Sequence, residues 1–180
     1  MSDNNDQQPP EQVVWAGKYI TTKVRGNWEY VSRSRGIRAA VILAVDDEDH
    51  VLLVEQYRVP LGRSCIELPA GLIGDHDDVV GEDDLAAAAR ELEEETGYRA
   101  GRLTRLAAYY TSPGYTSEQM TIFRADDCAP IDGAIDPDEL IALAPTPLAD
   151  IPRLVAPGPD QIADGKALLG LLLLLRQRGG

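Results

Sequence analysis

The chain is expected to fold as a mixed domain of the α+β class, an antiparallel-rich sheet with two or three helices packed on it. Three observations carry that expectation. Short runs rich in β-branched and aromatic residues recur between turn residues through the first third of the sequence. Two continuous apolar runs, Ile37–Val45 and Val51–Tyr57, flank the turn Asp46-Asp47-Glu48-Asp49 and read as buried central strands. Beyond them, Asp83–Thr96 carries start and stop signals of a helix at both ends. With 180 residues, 44% hydrophobic and 26% charged, the chain suits one soluble domain with a sizeable core.

Taken in order, residues 1–12 are polar and acidic, lack the apolar stretch of a signal peptide, and are expected to be a disordered tail. Residues 13–36 are expected to form an amino-terminal β-hairpin extension, with strands at Val13–Val14, Tyr19–Val24 and Trp28–Arg33. The turn at Gly26-Asn27 favours a hairpin because both residues tolerate positive φ. Residues 37–180 form the main domain. After the two central strands, Cys65–Pro69 is short and extended. Asp83 or Asp84 caps the next element, a helix, and Gly97 supplies the left-handed residue past its end. Leu103–Tyr110 and Met120–Ala125 suggest further strands, and Leu140–Leu143 a weaker one. Leu148–Val155 reads as a short helix and Asp160–Arg178 as a longer closing one. Its apolar stretch, Ala167–Leu175, is about half of what a membrane span needs, so it is expected to be buried in the domain or in a dimer contact.

Composition excludes several classes of partner. Seventeen basic against thirty acidic residues give a net charge of −13, which disfavours nonspecific binding to nucleic acid or to anionic membrane. Cys65 and Cys128 are too few for a disulfide framework and lack zinc-site spacing, so a reducing cytoplasm is the expected location. Cys65 falls in an expected strand and Cys128 in an expected loop. His50 and His76 lie in acidic segments and read as exposed turn residues.

The helix carries the chemistry. On a wheel of about 100° per residue, Glu94 and Glu95 fall beside Glu91. Leu85, Ala88, Ala89, Leu92 and Thr96 make a neighbouring stripe able to face the core, and Glu93 points away from both. Carboxylates at i, i+3 and i+4 repel one another. A divalent cation relieves that repulsion, and an all-oxygen ligand set suits Mg²⁺ or Mn²⁺ rather than zinc. A solvated acidic face is the alternative in a chain this acidic.

The stretch Arg90-Glu91-Leu92-Glu93-Glu94-Glu95-Thr96-Gly97-Tyr98 fits the pattern Arg-Glu-U-x-Glu-Glu-x-Gly-U, where U is a bulky apolar residue, and Glu82 lies eight positions before Arg90. On these residues the chain resembles the Nudix hydrolase family. The resemblance implies a mixed sheet sandwiched between helices, metal binding by Glu91, Glu94 and Glu95, and orientation of that cluster by Arg90 and Glu82. One departure is visible: ten residues, Leu72–Gly81, separate Gly71 from Glu82 where the motif has five. Gly71 therefore reads as the motif glycine, succeeded by an insertion of about five residues, which a loop accommodates at small entropic cost.

Glu67-Leu68-Pro69-Ala70-Gly71, Val54-Glu55-Gln56-Tyr57-Arg58 and Thr111-Ser112-Pro113-Gly114-Tyr115-Thr116-Ser117-Glu118 are similar to the ADP-ribose pyrophosphatase and nucleotide-sugar diphosphatase branch. That resemblance implies a further metal ligand in the Ala70 carbonyl and a supporting role for Glu118 at metal or water. It also implies phosphate or sugar contacts from Arg58 and Arg63, and a substrate contact at Gly114. Ordinary surface charge is the alternative for both arginines. An aromatic on the amino-terminal hairpin is expected to stack on adenine, commonly across a domain-swapped homodimer. Trp28 is the candidate, and Tyr30 reads as a core or dimer-packing residue.

The reaction implied is Mg²⁺-dependent hydrolysis of a pyrophosphate bridge, with an acidified water attacking phosphorus. A general base is expected from the loop Asp132–Glu139, with Glu139 first and Asp136 and Asp138 as rivals. ADP-ribose is the first substrate, GDP-mannose or another nucleotide sugar the second. A nucleotide-sensing Nudix protein without turnover is the rival of another class; the full set of metal carboxylates and the expected lack of a DNA-binding segment argue against it. A Nudix isomerase of allylic diphosphates, which would want a catalytic cysteine, fits least.

Overall fold

The computed structural model describes residues 9–34, 37–74, 83–132, 141–158 and 161–179. The chain divides into two compact units, residues 1–38 with 108–120 and residues 39–107 with 121–180.

In the first unit, β1 (Gln12–Ala16), β2 (Ile20–Arg25) and β3 (Trp28–Arg33) form an antiparallel meander in the order β1-β2-β3. Gly26 opens the β2–β3 turn at φ 59°, a conformation that costs glycine little. The segment 111–118 lies along β3: Val31 donates its N–H to the Tyr115 carbonyl at 2.8 Å and accepts from the Ser117 N–H at 3.1 Å. Several large apolar side chains of this sheet stay exposed, among them Val13, Val14, Trp15 and Trp28.

Most of the second unit is strand: among the described residues, an eight-stranded sheet follows a main path β11-β5-β4-β10-β8, with only the ends of β4, β9 and β10 counted in the first unit. Its strands are β4 (Arg38–Asp46), β5 (His50–Arg58), β6 (Arg63–Glu67), β7 (Ala70–Ile73), β8 (Tyr98–Arg99), β9 (Arg102–Tyr110), β10 (Gln119–Pro130) and β11 (Ile141–Pro147). The β4–β5 hairpin is closed by the Asp46 carboxylate, which accepts from the Glu48 and His50 N–H groups at 3.0 and 2.8 Å. Ala39–Val45 and Val51–Val54 are buried as expected, where β4 and β5 run through the middle of the sheet, whereas Glu55 and Tyr57 at the far end of β5 are exposed. Ala40, Ile42 and Ala44 meet Ala87, Ala88 and Leu92 of α1 (Asp84–Thr96) in a core completed by Leu52, Ile73 and Phe123.

A short helix, α2 (Ile151–Val155), and the closing helix, α3 (Gly165–Arg178), pack together, and α3 also packs on β6. Just past β6, Gly170 permits close packing on Leu68, since a Cβ there would lie 2.6 Å from Leu68 Cδ1. The leucine-rich run thus faces the domain, with Ala167, Leu171 and Leu174 fully buried. Among the described residues no helix is long and apolar enough to cross a membrane.

Some expectations require correction. Cys128 lies within β10, not in a loop, and is buried; burial pushes its thiol up to about 11. His50 begins β5 and is partly covered, held by the Asp46 turn rather than left exposed. Leu85, assigned to the core stripe, is exposed, whereas Ala87 is buried. The buried sector of α1 is therefore rotated toward the carboxylates, and Glu91 and Glu95 lie inside it. Strands β7 and β8 were not anticipated, and β10 and β11 extend beyond the expected runs. His76 lies outside the described residues.

Candidate active site

The site begins where β6 gives way to β7. Pro69 carries no N–H, and its carbonyl accepts from Ile42 N–H of β4 at 2.8 Å, which holds the connection against the sheet. Ala70 and Gly71 then pass beneath α1. The helix starts with Asp83, whose carboxylate accepts from the Ala86 N–H, and stops at Gly97 with φ 70°. These caps fix its register, so Glu91 and Glu95 turn toward β7 and are 5% and 7% exposed.

The approach at Gly71 is unusually close. A Cβ there would lie 1.8 Å from Glu91 Cδ and about as near both carboxylate oxygens, so no larger residue fits without displacing Glu91. One helical turn on, Glu95 Oε2 accepts from the Ala70 N–H at 3.0 Å. Arg90 closes the other side: its guanidinium lies 2.9 Å from Glu91 Oε1, donates to Glu94 Oε2 at 2.8 Å, and reaches the Leu72 carbonyl at 3.4 Å. Glu93 points elsewhere and forms a two-point pair with Arg99, which holds its carboxyl below the usual range.

Burying two carboxylates costs several kcal/mol each unless charge and hydrogen bonds compensate. Arg90 and the Ala70 amide do part of this. Among the described residues, no three acidic, histidine or cysteine side chains converge closely enough to enclose an ion. The residues present nonetheless fit a hard divalent cation in donor chemistry: the carboxylates Glu91, Glu94 and Glu95, with the Ala70 carbonyl on the strand that Glu91 packs against. Such an ion would share Glu91 and Glu94 with Arg90, and Glu95 with the Ala70 amide.

Beside this cluster is a second charged group that sequence reasoning missed. Glu67, at the end of β6, accepts from Arg58 Nε at 2.6 Å and Arg58 Nη2 at 2.7 Å, and also from Lys166 Nζ of α3. Lys166 in turn lies 3.1 Å from Asp164, whose carboxylate caps α3 through the Ala167 N–H. Burial alone would push the Glu67 carboxyl up; the hydrogen bonds from Arg58 and Lys166 outweigh it and hold the group below the usual range. The signal was present as a single lysine in the first turn of α3, ahead of an apolar run that ends at Leu175.

The remaining candidates are dispersed. Arg58 is occupied by Glu67. Arg63 lies opposite Arg58 across the β5–β6 ladder and lines a separate cavity of ≈ 460 Å³ with Arg153 and Asp150. In the first unit, Glu118 accepts from Arg33 Nε at 2.7 Å and from Thr111 Oγ1 at 3.3 Å. Trp28 and Gly114 line one cavity of ≈ 660 Å³, with Arg25, Tyr30 and Tyr110. Tyr30 is partly covered and donates its hydroxyl proton to Glu11. Glu82, Asp136, Asp138 and Glu139 lie outside the described residues.

The chain is similar to known proteins in sequence and in fold. The NUDIX domain pattern matches residues 35–166, a stretch that contains Arg90–Tyr98. An ADP-ribose pyrophosphatase of Bacillus subtilis (strain 168) is 40% identical over 119 residues, 65% of this chain and 62% of that protein, so the match spans just under two thirds of the relative. A methanol dehydrogenase activator of Bacillus methanolicus is 33% identical over 141 residues, 77% of this chain and 72% of that one. A crystal structure of an ADP compounds hydrolase superposes with a TM-score of 0.79 at 27% identity, over 96% of this chain and 94% of that chain. With its signature helix inside the matched stretch and a shared architecture along nearly its whole length, the chain belongs to the Nudix family.

Proposed function

We propose that the chain hydrolyses the pyrophosphate bond of a nucleoside diphosphate sugar, ADP-ribose first, releasing AMP and ribose 5-phosphate with the help of Mg²⁺ (or Mn²⁺). The observation that carries this reading is the burial of Glu91 and Glu95 against Ala70 and Gly71, an arrangement costly for packing alone. The B. subtilis relative and the superposed hydrolase, both named for ADP-containing compounds, favour a substrate of that kind.

Glu91, Glu94, Glu95 and the Ala70 carbonyl would hold the cation. When bound, it supplies charge neutralisation for the diphosphate and lowers the pKa of the attacking water. Arg90 keeps Glu91 and Glu94 aligned. Water adds to one phosphorus, the bridging P–O bond breaks, and the departing phosphate keeps the bridging oxygen. Glu139 takes the water proton, with Asp136 and Asp138 as alternatives, and Glu118 assists at metal or water. Trp28 stacks on adenine, with Gly114 beside it, while Arg58 and Arg63 meet phosphate or sugar oxygens. Residues 13–36 form an extension to the Nudix domain of residues 37–180. Their exposed Val13, Val14, Trp15 and Ile20 suit a homodimer in which that extension is exchanged.

A panel of ADP-ribose, GDP-mannose and other nucleotide sugars, assayed by product chromatography with and without Mg²⁺, tests the reading. AMP release from ADP-ribose that requires the metal is expected. Binding without release from any member would turn the assignment toward a nucleotide sensor.

A further inference from the structure

Glu67 has more positive charge upon it than it needs. Its carboxylate is buried, with the side chain 3% exposed, and accepts from two cations at once. Lys166 is nearly as buried at 7%, while Arg58 is 39% exposed and reaches toward solvent. The three therefore differ in freedom. Lys166 is fixed between Glu67 and Asp164 at the first turn of α3, and Arg58 occupies the outer side of the same carboxylate. Arg58 also feels the charge of the Asp164 and Glu95 carboxylates, which favours its charged form.

Departure of Arg58 has two different consequences. With Lys166 present, Glu67 keeps a buried counterion and no charge is left unpaired. Without Lys166, the same departure strands a buried carboxylate, which is strongly unfavourable. An arginine that must leave a carboxylate for a phosphate needs its first partner to stay neutralised behind it.

We infer that Lys166 is a positioning residue whose ammonium keeps Glu67 paired while Arg58 leaves that carboxylate to take a phosphate oxygen of the substrate. This rests on the reading of the site as one for a nucleoside diphosphate sugar. It assigns Lys166 no contact with substrate. Its effect belongs on substrate affinity rather than on the chemical step, because Arg58 binds the diphosphate in ground state and transition state alike.

The test compares K166M, K166R, E67Q and the double variant E67Q/K166M in two assays: steady-state kinetics with ADP-ribose and Mg²⁺, and calorimetric binding of inorganic pyrophosphate without metal. K166M is expected to raise KM and weaken pyrophosphate by about tenfold or more, with kcat within about threefold of wild type. K166R should stay close to wild type, since it keeps the counterion. The double variant should return both quantities to within about threefold of wild type, because a neutral Gln at position 67 no longer retains Arg58. Thermal unfolding of each variant accompanies the assays. The double variant removes the buried charge pair together, so it covers the case in which K166M fails to fold.

A rigid brace makes the opposite forecast: the double variant would be as impaired as K166M or worse, with kcat falling in step. That result overturns the inference, as would a wild type with no affinity for pyrophosphate. The binding assay needs no turnover. Should it show the expected pattern while no diphosphate sugar is cleaved, the proposed reaction fails and the inference stands.

Discussion

The two units of this chain invert the usual partition of side chains in opposite ways. The second unit draws Glu91, Glu95, Glu67 and Lys166 into its interior. The first leaves Trp28 63% exposed, with Trp15, Val13 and Val14 also open to solvent. Charge inside and apolar surface outside are each unfavourable by a few kcal/mol per side chain. Packing explains neither. In the second unit the compensation is partly visible, as Arg90, Arg58, Lys166 and the Ala70 amide. In the first it is not visible within the described residues. Buried carboxylates ordered by backbone and arginine suit a cation and a diphosphate; exposed aromatics on a hairpin suit a flat base or another protein surface. The contrast teaches that each unit departs from the usual partition in its own way, the second by buried charge and the first by exposed aromatic and aliphatic surface.

The sharpest way to break the contrast is at Gly71. A methyl group there would overlap the Glu91 carboxylate at 1.8 Å, so Gly71→Ala is expected to abolish measurable nucleotide-sugar cleavage while costing about 1–3 kcal/mol of stability. Activity near wild type, with a normal unfolding midpoint, would show that Glu91 does not need its place. Next in size, Glu95→Gln keeps the shape and an acceptor for the Ala70 N–H but removes a charge. Turnover should fall by about two orders of magnitude, against a small change in unfolding midpoint. A modest loss in kcat would leave Glu95 only its hydrogen bond with the Ala70 N–H.

On the other side of the comparison, Trp28→Ala should leave stability almost untouched because the side chain is exposed. It should weaken ADP-ribose by about tenfold, and an analogue lacking adenine much less. Equal losses for both would make Trp28 structural. The smallest effect is one of pH. Glu67 has a folded pKa below its ordinary value of 4.5, so its pairing contributes fully above that value and is lost as pH falls through the lower folded value. The unfolding midpoint should therefore drop on acidification below pH 4.5, and less steeply in Glu67→Gln; identical slopes would remove Glu67 from the acid response.

Much of this was legible in the sequence where local chemistry dictates structure. Asp83 and Gly97 announced both ends of α1, and the Asp46–Asp49 turn announced the hairpin between two apolar strands. The signature Arg90–Tyr98 located the acidic cluster because its spacing is helical and contiguous. What escaped depends on contacts between distant residues. A periodicity argument puts glutamates outside and leucines inside, so it rotated the buried face of α1 away from Glu91 and toward Leu85. Only β7, too short to stand out at Ala70–Ile73, shows why the carboxylates turn inward. The Glu67–Lys166 pair spans 99 positions, and no local pattern joins those two residues. Cys128 was misplaced because the expected strand stopped at Ala125, whereas β10 continues to Pro130 with Asp127 at positive φ inside it.

The most direct test of the cation site is an anomalous difference map from crystals soaked in Mn²⁺ with a non-hydrolysable ADP-ribose analogue. A peak within about 2.5 Å of oxygens from Glu91, Glu94 or Glu95, and near the Ala70 carbonyl, is expected. An ordered analogue with no peak beside α1 would contradict the assignment of these glutamates to metal.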